Sequence, residues 1–508
     1  MATCRLGGTS HARCATRSSS VKRVIAMAAT AQQTSQPLVS LNKIDAKRLP
    51  FPPHQPLEGC EKGSFAEATI TKRLPSILAG MIKDLEASIL PGLGADAKAE
   101  AQQALAALAA LRQGQLDNIV LPDVVAPGGA AAAAANPALA PAIAATNEAL
   151  TLWRKRVPNA TWLNLPWLLI ECAMYVEVAA RLAAPSARLA GARIDPFAVQ
   201  KAAAWAKSAT AAAELAAEAC RVLQRVRAQG LRGDVLKQEC YAVMQYSLWG
   251  NKTDLSLLVD ASAVNPVSSV GDAQGSGAGH PFVIVDEYDG AWKVLASGPP
   301  GRVDIVLDNA GLELFGDLVL ADFLVESGLA TEVVMHGKPF AWFVSDVVQH
   351  DFADTLAAAA PGSPAPASLP DPAAWGAVRE LGARWAQHMA SGKWKYTDHT
   401  FWVTPSPFCW MEAQAPDLYR ALQSSRLVIL KGDLNYRKLT SDCRWPTTTP
   451  FSTSLMGFEP APLLALRTLK ADVVAGLVPG QAEKLTKIDA EWLVNGRFGM
   501  LQFHKPTA

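Results

Sequence analysis

This 508-residue sequence is short of the features that announce most specialised protein classes. Its eight cysteines, at positions 4, 14, 60, 172, 220, 240, 409 and 443, include no CxxC pair and no accompanying histidine cluster. That excludes a structural zinc site and a disulfide framework, and fits a reducing compartment. There is no P-loop, and no GxGxxG follows any candidate strand, so the common nucleotide-binding turns are missing. Long hydrophobic runs are missing too: the Ala-rich stretch Ala126–Thr146 is interrupted by Gly128, Gly129, Pro137 and Pro141 and is too weakly apolar to span a bilayer. A soluble protein is expected, with no membrane partner. Charged residues make up only 18% of the chain and sum to +1. Acid is absent before Asp45, whereas Arg5, Arg13, Arg17, Lys22, Arg23 and Lys43 precede it, so the remainder is mildly acidic. Nothing in that balance suggests a nucleic-acid or anionic-lipid surface.

What is present begins with an address. The first 30 residues are rich in Arg, Ser, Thr and Ala, the composition of an organelle transit peptide, with Val24-Ile25-Ala26 as a cleavage region and Met27 as an alternative start. Residues 1–44 are therefore expected to be a transit segment or tail, directing the chain to the plastid or the mitochondrion, with the cytoplasm as the alternative. A proline-punctuated lead-in follows over 45–60. From Ser64 to Leu111, and again from Trp162 to Leu182 and Pro196 to Ala228, apolar residues recur at three- and four-residue spacing, which predicts helices. Residues 45–262 thus read as a mainly helical region, with a low-complexity surface insert over about 126–146.

Beyond residue 280 the pattern changes. Short β-branched runs each end in a polar or acidic residue: Phe282–Val285 before Asp286, Val303–Leu307 before Asp308, Glu332–Met335 before His336, Trp342–Val344 before Asp346, and Leu427–Leu430 before Asp433. Helical stretches separate several of them, notably Glu313–Ser327. Apolar strands alternating with helices predict an α/β/α, Rossmann-like domain over 280–508 with a largely parallel sheet, interrupted by a second surface insert over about 357–374. Ligands of such sheets bind beyond the carboxyl ends of the strands. Four of the five runs deliver a carboxylate there, and a divalent cation is the usual remedy for crowded like charges. Oxygen donors without Cys or His suit Mg²⁺ or Mn²⁺ better than Zn²⁺.

Asp308, Asn309 and Asp346 are the candidate ligands. A helix cap at Asp308 explains the Asp308-Asn309 dyad equally well. Two features favour a phosphate site: a helix N-terminus just after Asp308, and Arg467 with Lys470 at i, i+3 on a predicted helix. A solvated cation pair is the plainer account of the latter. The sequence lacks a second Asp at position 310, which excludes a haloacid-dehalogenase phosphatase. The Ser/Gly-rich stretch over 268–279 precedes a strand and reads as a linker.

The stretches Ser247-Leu-Trp-Gly-Asn-Lys-Thr-Asp254, Leu307-Asp-Asn-Ala-Gly-Leu-Glu-Leu314, Trp342-Phe-Val-Ser-Asp346, Lys431-Gly-Asp-Leu-Asn-Tyr-Arg-Lys438 and Arg467-Thr-Leu-Lys470 together resemble the damage-control phosphatase family. More narrowly they are similar to its eukaryotic RTxK-motif branch, also named acidic residue methyltransferase. The resemblance runs from about Ser64 to the C-terminus and implies a helical region packed on an α/β/α domain that hydrolyses phosphomonoesters of small metabolites, sugar phosphates such as fructose 1-phosphate among them. It implies a divalent metal (Mn²⁺, Co²⁺, Ni²⁺ or Mg²⁺) on Asp308, Asn309 and Asp346. It further implies a substrate contact at Glu313, a substrate loop of Asp433, Leu434, Asn435, Tyr436 and Arg437, a phosphate anchor at Lys470, and pocket positions at Asn251, Asp254 and Arg467. Glu313 is equally an ordinary first-turn acid, and Asn251 and Asp254 are equally caps. Either Asp308 or a cation-activated water could be the nucleophile. Two rival functions are an S-adenosylmethionine-dependent protein-glutamate methyltransferase, which lacks the glycine-rich turn it would need, and a non-catalytic metabolite-binding protein.

Overall fold

The computed structural model describes residues 38–90, 98–127, 136–186, 188–189, 194–250 and 282–506. Its helices of eight residues or more before the sheet are α1 (Leu74–Asp84), α2 (Lys98–Leu116), α3 (Leu139–Arg154), α4 (Trp167–Ala183), α5 (Ala198–Lys207), α6 (Ala209–Gln229) and α7 (Gly233–Trp249). The remainder alternates: β1 (Val283–Asp286), α8 (Tyr288–Ala296), β2 (Gly301–Val306), α9 (Leu312–Glu326), β3 (Ala330–Gly337), α10 (Gln349–Ala359), α11 (Trp375–Ala390), β4 (Trp394–Asp398), α12 (Pro416–Gln423), β5 (Leu427–Lys431), α13 (Gly432–Leu439), β6 (Leu463–Thr468), α14 (Gln481–Ile488) and β7 (Gly499–His504). No described helix is long and apolar enough to cross a membrane.

The seven strands form one sheet in the order β1-β7-β6-β5-β2-β3-β4, parallel except for the β6–β7 pairing. This is the expected α/β architecture. Both faces of the central strands are buried, which is why they read as continuous apolar runs. Successive residues alternate between two cores: Val303, Ile305, Leu427, Ile429, Leu464 and Leu466 face one, while Val306, Val428, Leu430, Leu463 and Ala465 face the other. The first core packs under α6, α7, α9 and α11. The second is shared with α1–α4 and the lead-in, so helices from before residue 250 cover both faces.

After β2 the chain moves outward through β3 to β4, then returns to place β5 on β2's other side. The reversal falls between β2 and β5, where a parallel α/β sheet opens a crevice at its carboxyl edge. Helix α9 runs beneath it and is buried from Leu312 to Val325, with apolar residues all round. It meets α7 at glycine-width distance: a Cβ on Gly316 would lie 3.0 Å from the Tyr246 carbonyl oxygen, and one on Gly250 would lie 2.8 Å from Glu313 Cα.

Several sequence expectations are corrected. Trp342–Val344 is not a strand but a turn in which Phe343 and Val344 have φ of 43° and 70°. β4, β6 and β7 carry too few β-branched residues to stand out. Leu463–Thr468 has the composition of a helix, but hydrogen-bonding neighbours on both sides make it a strand, as context overrides propensity. Arg467 and Lys470 therefore do not share a helix face. Residues 433–437 lie in α13 rather than in a loop. Because β1 pairs parallel to β7, it runs against β2–β6, so Asp286 lies at the opposite sheet edge from Asp308. There it accepts from the Tyr241 hydroxyl at 2.6 Å. The two inserts are less superficial than their composition suggests. Residues 139–146 begin α3 and bury Leu139 and Ile143, and the second insert joins α10 to α11, between β3 and β4, and buries Leu369.

Candidate active site

The crevice between β2 and β5 gathers most of the residues the sequence singled out. Asp308 lies two residues past the end of β2, and Gly311, with φ 79°, turns the chain into α9. Gly432, with φ 80°, does the same between β5 and α13, and a Cβ there would lie 1.9 Å from Asp308 Oδ2. Any side chain at 432 would both strain the backbone and collide with the carboxylate. Two helix N-termini thus converge on Asp308, an arrangement that favours negative charge.

Asp346 arrives from the turn after β3. Asn309 and Asp346 form an isolated antiparallel bridge, supported by Ala310 N–H to the Ser345 carbonyl at 2.7 Å and Val347 N–H to the Asp308 carbonyl at 2.8 Å. The Asn309 amide donates to Asp308 Oδ2 at 2.7 Å and to Glu313 Oε2 at 2.8 Å, and its oxygen accepts from the Ser345 hydroxyl. Asp308, Asn309, Glu313 and Asp346 are therefore brought together, with Asp308, Glu313 and Asp346 buried.

The electrostatics are one-sided. Burial raises the Asp308 carboxyl well above the ordinary range, and the Glu313 and Asp346 charges raise it further, against the pull of Lys338 and Lys470. Burial likewise pushes Asp346 up to about 6, although Lys338 opposes it. Lys338 Nζ forms an ion pair with Asp346 Oδ2 at 3.2 Å and donates to the Leu307 carbonyl at 2.9 Å. Beneath, Lys431 Nζ sits 3.1 Å from Glu313 Oε1 and 3.0 Å from Asp317 Oδ1, and donates to the Ser247 carbonyl at 2.7 Å. Asp317 is pushed up by burial to about 6, so two buried lysines face four buried carboxylates here. Lys338 and Asp317 escaped the sequence analysis, and Lys431 entered it only as the first residue of a motif, without a role. A lysine at the last residue of a buried strand and acids within an otherwise apolar, buried helix were the available signals.

The remaining predicted residues divide. Lys470 is half-buried, donates its backbone N–H to Asp433 Oδ1 at 3.1 Å, and is near enough to act on the Asp308 charge. Asp433 also accepts from Arg467 Nε at 2.8 Å, and Arg467 is fully buried, bonded to the Val473 and Ala471 carbonyls and lying over the Tyr436 ring. Asn435 spends its amide on the Lys431 carbonyl at 2.7 Å, and the Tyr436 hydroxyl accepts from Ala475 N–H. Leu434 is packed in the core, and Arg437 is held between Glu171 and Asp442 over the Trp167 ring. These four face protein partners and brace α13 rather than the crevice. Asn251 and Asp254 lie outside the described residues.

Two other clusters offer three metal-type side chains each: Asp195, His350 and Asp351, and Asp322, Glu326 and His388. Each already contains a cation of the chain's own. Lys201 bonds Asp195 and Asp351, and Arg384 forks onto Asp322. Neither has the charge deficit seen at Asp308. A 290 Å³ cavity walled by Phe51, Trp153, Trp410 and several prolines includes none of the crevice residues.

Fold and site together define an α/β enzyme architecture whose polar residues sit at the carboxyl edge of a parallel sheet, beside the chain reversal. Residues 69–485 match the family model described as the damage-control phosphatase ARMT1-like domain. The chain is 36% identical over 476 residues to damage-control phosphatase ARMT1 of Danio rerio, covering 89% of this chain and 98% of that protein. It is 34% identical over 472 residues to the Homo sapiens protein of the same name, with the same coverage, and 40% identical over 351 residues to that of Mus musculus, covering 68% and 75%. The chain belongs to the damage-control phosphatase family. Among solved structures, a DUF89 family protein from Pyrococcus horikoshii aligns over 70% of this chain and 92% of its own at 13% identity, with a TM-score of 0.31.

Proposed function

We propose that this chain is a divalent-cation-dependent phosphatase that hydrolyses phosphomonoesters of small metabolites, sugar phosphates such as fructose 1-phosphate in particular. One observation carries the cation: Asp308, Glu313 and Asp346 are buried together, Asp308 is held toward its protonated form, and the Lys338 ammonium beside Asp346 Oδ2, at 3.2 Å, is shared with the Leu307 carbonyl. An excess of buried negative charge with oxygen donors and no Cys or His fits Mn²⁺, Co²⁺, Ni²⁺ or Mg²⁺, held by Asp308, Asn309 and Asp346. When bound, the cation supplies Lewis-acid stabilisation of charge on a phosphoryl group.

The chain's own residues supply the rest. Lys470, whose ammonium forms no hydrogen bond or ion pair among the described residues, holds a phosphoryl oxygen as a point charge. Backbone N–H groups at the start of α13 and α9 add partial positive charge on the same side. Glu313, anchored by Asn309 and Lys431, keeps the Asn309 amide oriented and borders the substrate. Family membership supports the phosphatase class and small phosphorylated substrates.

The test is phosphate release by purified protein under Mn²⁺ from a panel of sugar phosphates, nucleotides and phosphorylated cofactors. Preferential turnover of hexose and pentose phosphates supports the proposal, whereas tight S-adenosylmethionine binding without phosphate release under any metal would replace it. The acid-free, Arg- and Ser-rich first 30 residues support delivery to a plastid or mitochondrion. Microscopy of a C-terminally tagged chain decides that point, with cytoplasmic signal as the contrary outcome.

A further inference from the structure

The turn that presents Asp346 is strained. Phe343 and Val344 both have positive φ, and for a β-branched residue such as Val344 that conformation persists only where the surroundings enforce it. The enforcement comes partly from packing: Trp342 is fully buried and Phe343 stacks on Tyr175 of α4, with ring centroids 4.8 Å apart. Backbone hydrogen bonds from Ala310 N–H to the Ser345 carbonyl and from Val347 N–H to the Asp308 carbonyl add to it, and so does one side chain. Lys201, on α5, reaches the far end of the turn and distributes its three N–H donors over Asp346 O at 3.0 Å, Asp195 Oδ2 at 3.0 Å and Asp351 Oδ2 at 2.7 Å. The lysine is only 7% exposed, and the two aspartates are equally enclosed.

Each partner is itself fixed. Asp195 accepts from Phe197 N–H at 2.8 Å at the start of α5 and from the His350 ring at 3.0 Å. Asp351 accepts from Val348 N–H at 3.0 Å, closing the first turn of α10. The ammonium therefore ties the segment before α5 and the start of α10 to the backbone of Asp346. The Asp195–His350–Asp351 group resembles a metal site by composition, but its cation is Lys201.

We propose that Lys201 is a positioning residue: by holding the Asp346 carbonyl against the Asp195–Asp351 carboxylates, it sets the strained turn so that the Asp346 side chain faces Asp308 and Asn309 ready for a divalent cation. The proposal rests on the cation site put forward above. Groups that orient a metal ligand without touching the metal commonly alter affinity by about 10–100-fold, so the effect belongs in cation affinity rather than in substrate binding.

The experiment titrates Mn²⁺ into the full chain and follows the free ion by electron paramagnetic resonance. Wild type, Lys201→Met and Arg384→Met are compared, the last removing an equally buried cation remote from the crevice. Expected results are one bound ion in wild type, dissociation weakened about tenfold or more in Lys201→Met, and wild-type affinity in Arg384→Met despite lower thermal stability. At saturating Mn²⁺, the KM of Lys201→Met for p-nitrophenyl phosphate stays within about twofold of wild type. Unchanged affinity in Lys201→Met, or an equal loss in Arg384→Met, overturns the positioning role while leaving the cation site in place. No Mn²⁺ binding by wild type overturns both. If Lys201→Met does not fold, Asp351→Asn decides instead: about threefold weakening supports the role and none overturns it.

Discussion

Asp304 and Asp308 stand four residues apart along and just past one strand, both buried, and they have opposite electrostatics. Asp304 receives Arg302 Nε and Nη2 at 2.7 and 2.6 Å, His336 Nε2 at 2.7 Å, and the Ser425 hydroxyl. Burial alone would raise its carboxyl, but the His336 and Arg302 contacts more than offset that and hold it below the ordinary range. Asp308 has one amide donor from Asn309, two carboxylate neighbours, and a carboxyl raised well above that range. A buried acid that the fold has satisfied is part of the scaffold. One that the fold leaves short of positive charge marks where something else binds.

The largest effect should separate these two residues. Asp308→Ala should lower kcat/KM for phosphomonoesters by on the order of 10³-fold or more with little loss of stability in chelator, since it removes a badly placed charge. Asp304→Ala should instead cost about 3–5 kcal/mol of unfolding free energy by stranding its buried partners, while the folded fraction keeps its kcat within about tenfold. Urea unfolding and steady-state kinetics on both variants check this. Substantial activity in Asp308→Ala would break the contrast.

The same contrast predicts a pH dependence. Asp346 stands at about 6 in the folded chain, above the ordinary 3.8, so the folded state holds that proton more tightly and stability falls as pH rises from about 4 through about 6. Asp308 acts in the same direction. Asp304, being lowered, contributes stability that is present above about pH 4 and lost only below it. Because a cation needs both site carboxylates ionised, stabilisation by saturating Mn²⁺ should grow as pH rises from about 4 to about 6, by about 2–3 kcal/mol from Asp346 alone, and Asp346→Asn should remove that share while leaving the share of Asp308. Differential scanning fluorimetry at several pH values, with and without chelator, measures it.

Smaller effects divide the basic residues. Lys470→Ala should raise KM or lower kcat about 10–100-fold with stability unchanged within about 1 kcal/mol. Arg467→Ala should destabilise by about 3 kcal/mol or more, since Arg467 holds Asp433 and two carbonyls in the interior. The smallest change is expected of Val344→Gly. It relieves a positive φ and gains up to about 1 kcal/mol in the metal-free state, with a modest loss of Mn²⁺ affinity as the turn loosens.

Much of the site was legible because its residues sit at places that patterns mark. Asp308 ends an apolar run, Gly311 and Glu313 open a helix, and Asp433 follows another apolar run. The alternation of apolar strands with helices gave the sheet class. What escaped was decided by contacts distant in sequence. Leu463–Thr468 becomes a strand only because β5 and β7 flank it. The Asp346 turn puts Phe343 and Val344, residue types that avoid positive φ, where glycine or asparagine would be expected, and contacts with Tyr175, Trp342 and Lys201 hold them there. Tyr436 and Arg437 belong to a polar-looking stretch that folds inward because Arg467, Glu171 and Asp442 wait there as partners. No local pattern encodes any of these.

The most direct test of the central claim is phosphate release from p-nitrophenyl phosphate by one preparation of wild-type protein, before chelation, after exhaustive chelation and after Mn²⁺ is restored. A cation-deficient cluster at Asp308, Glu313 and Asp346 predicts turnover that vanishes with the chelator and returns with about one Mn²⁺ per chain. Turnover indifferent to chelation, or equally present in Asp308→Ala, would contradict it.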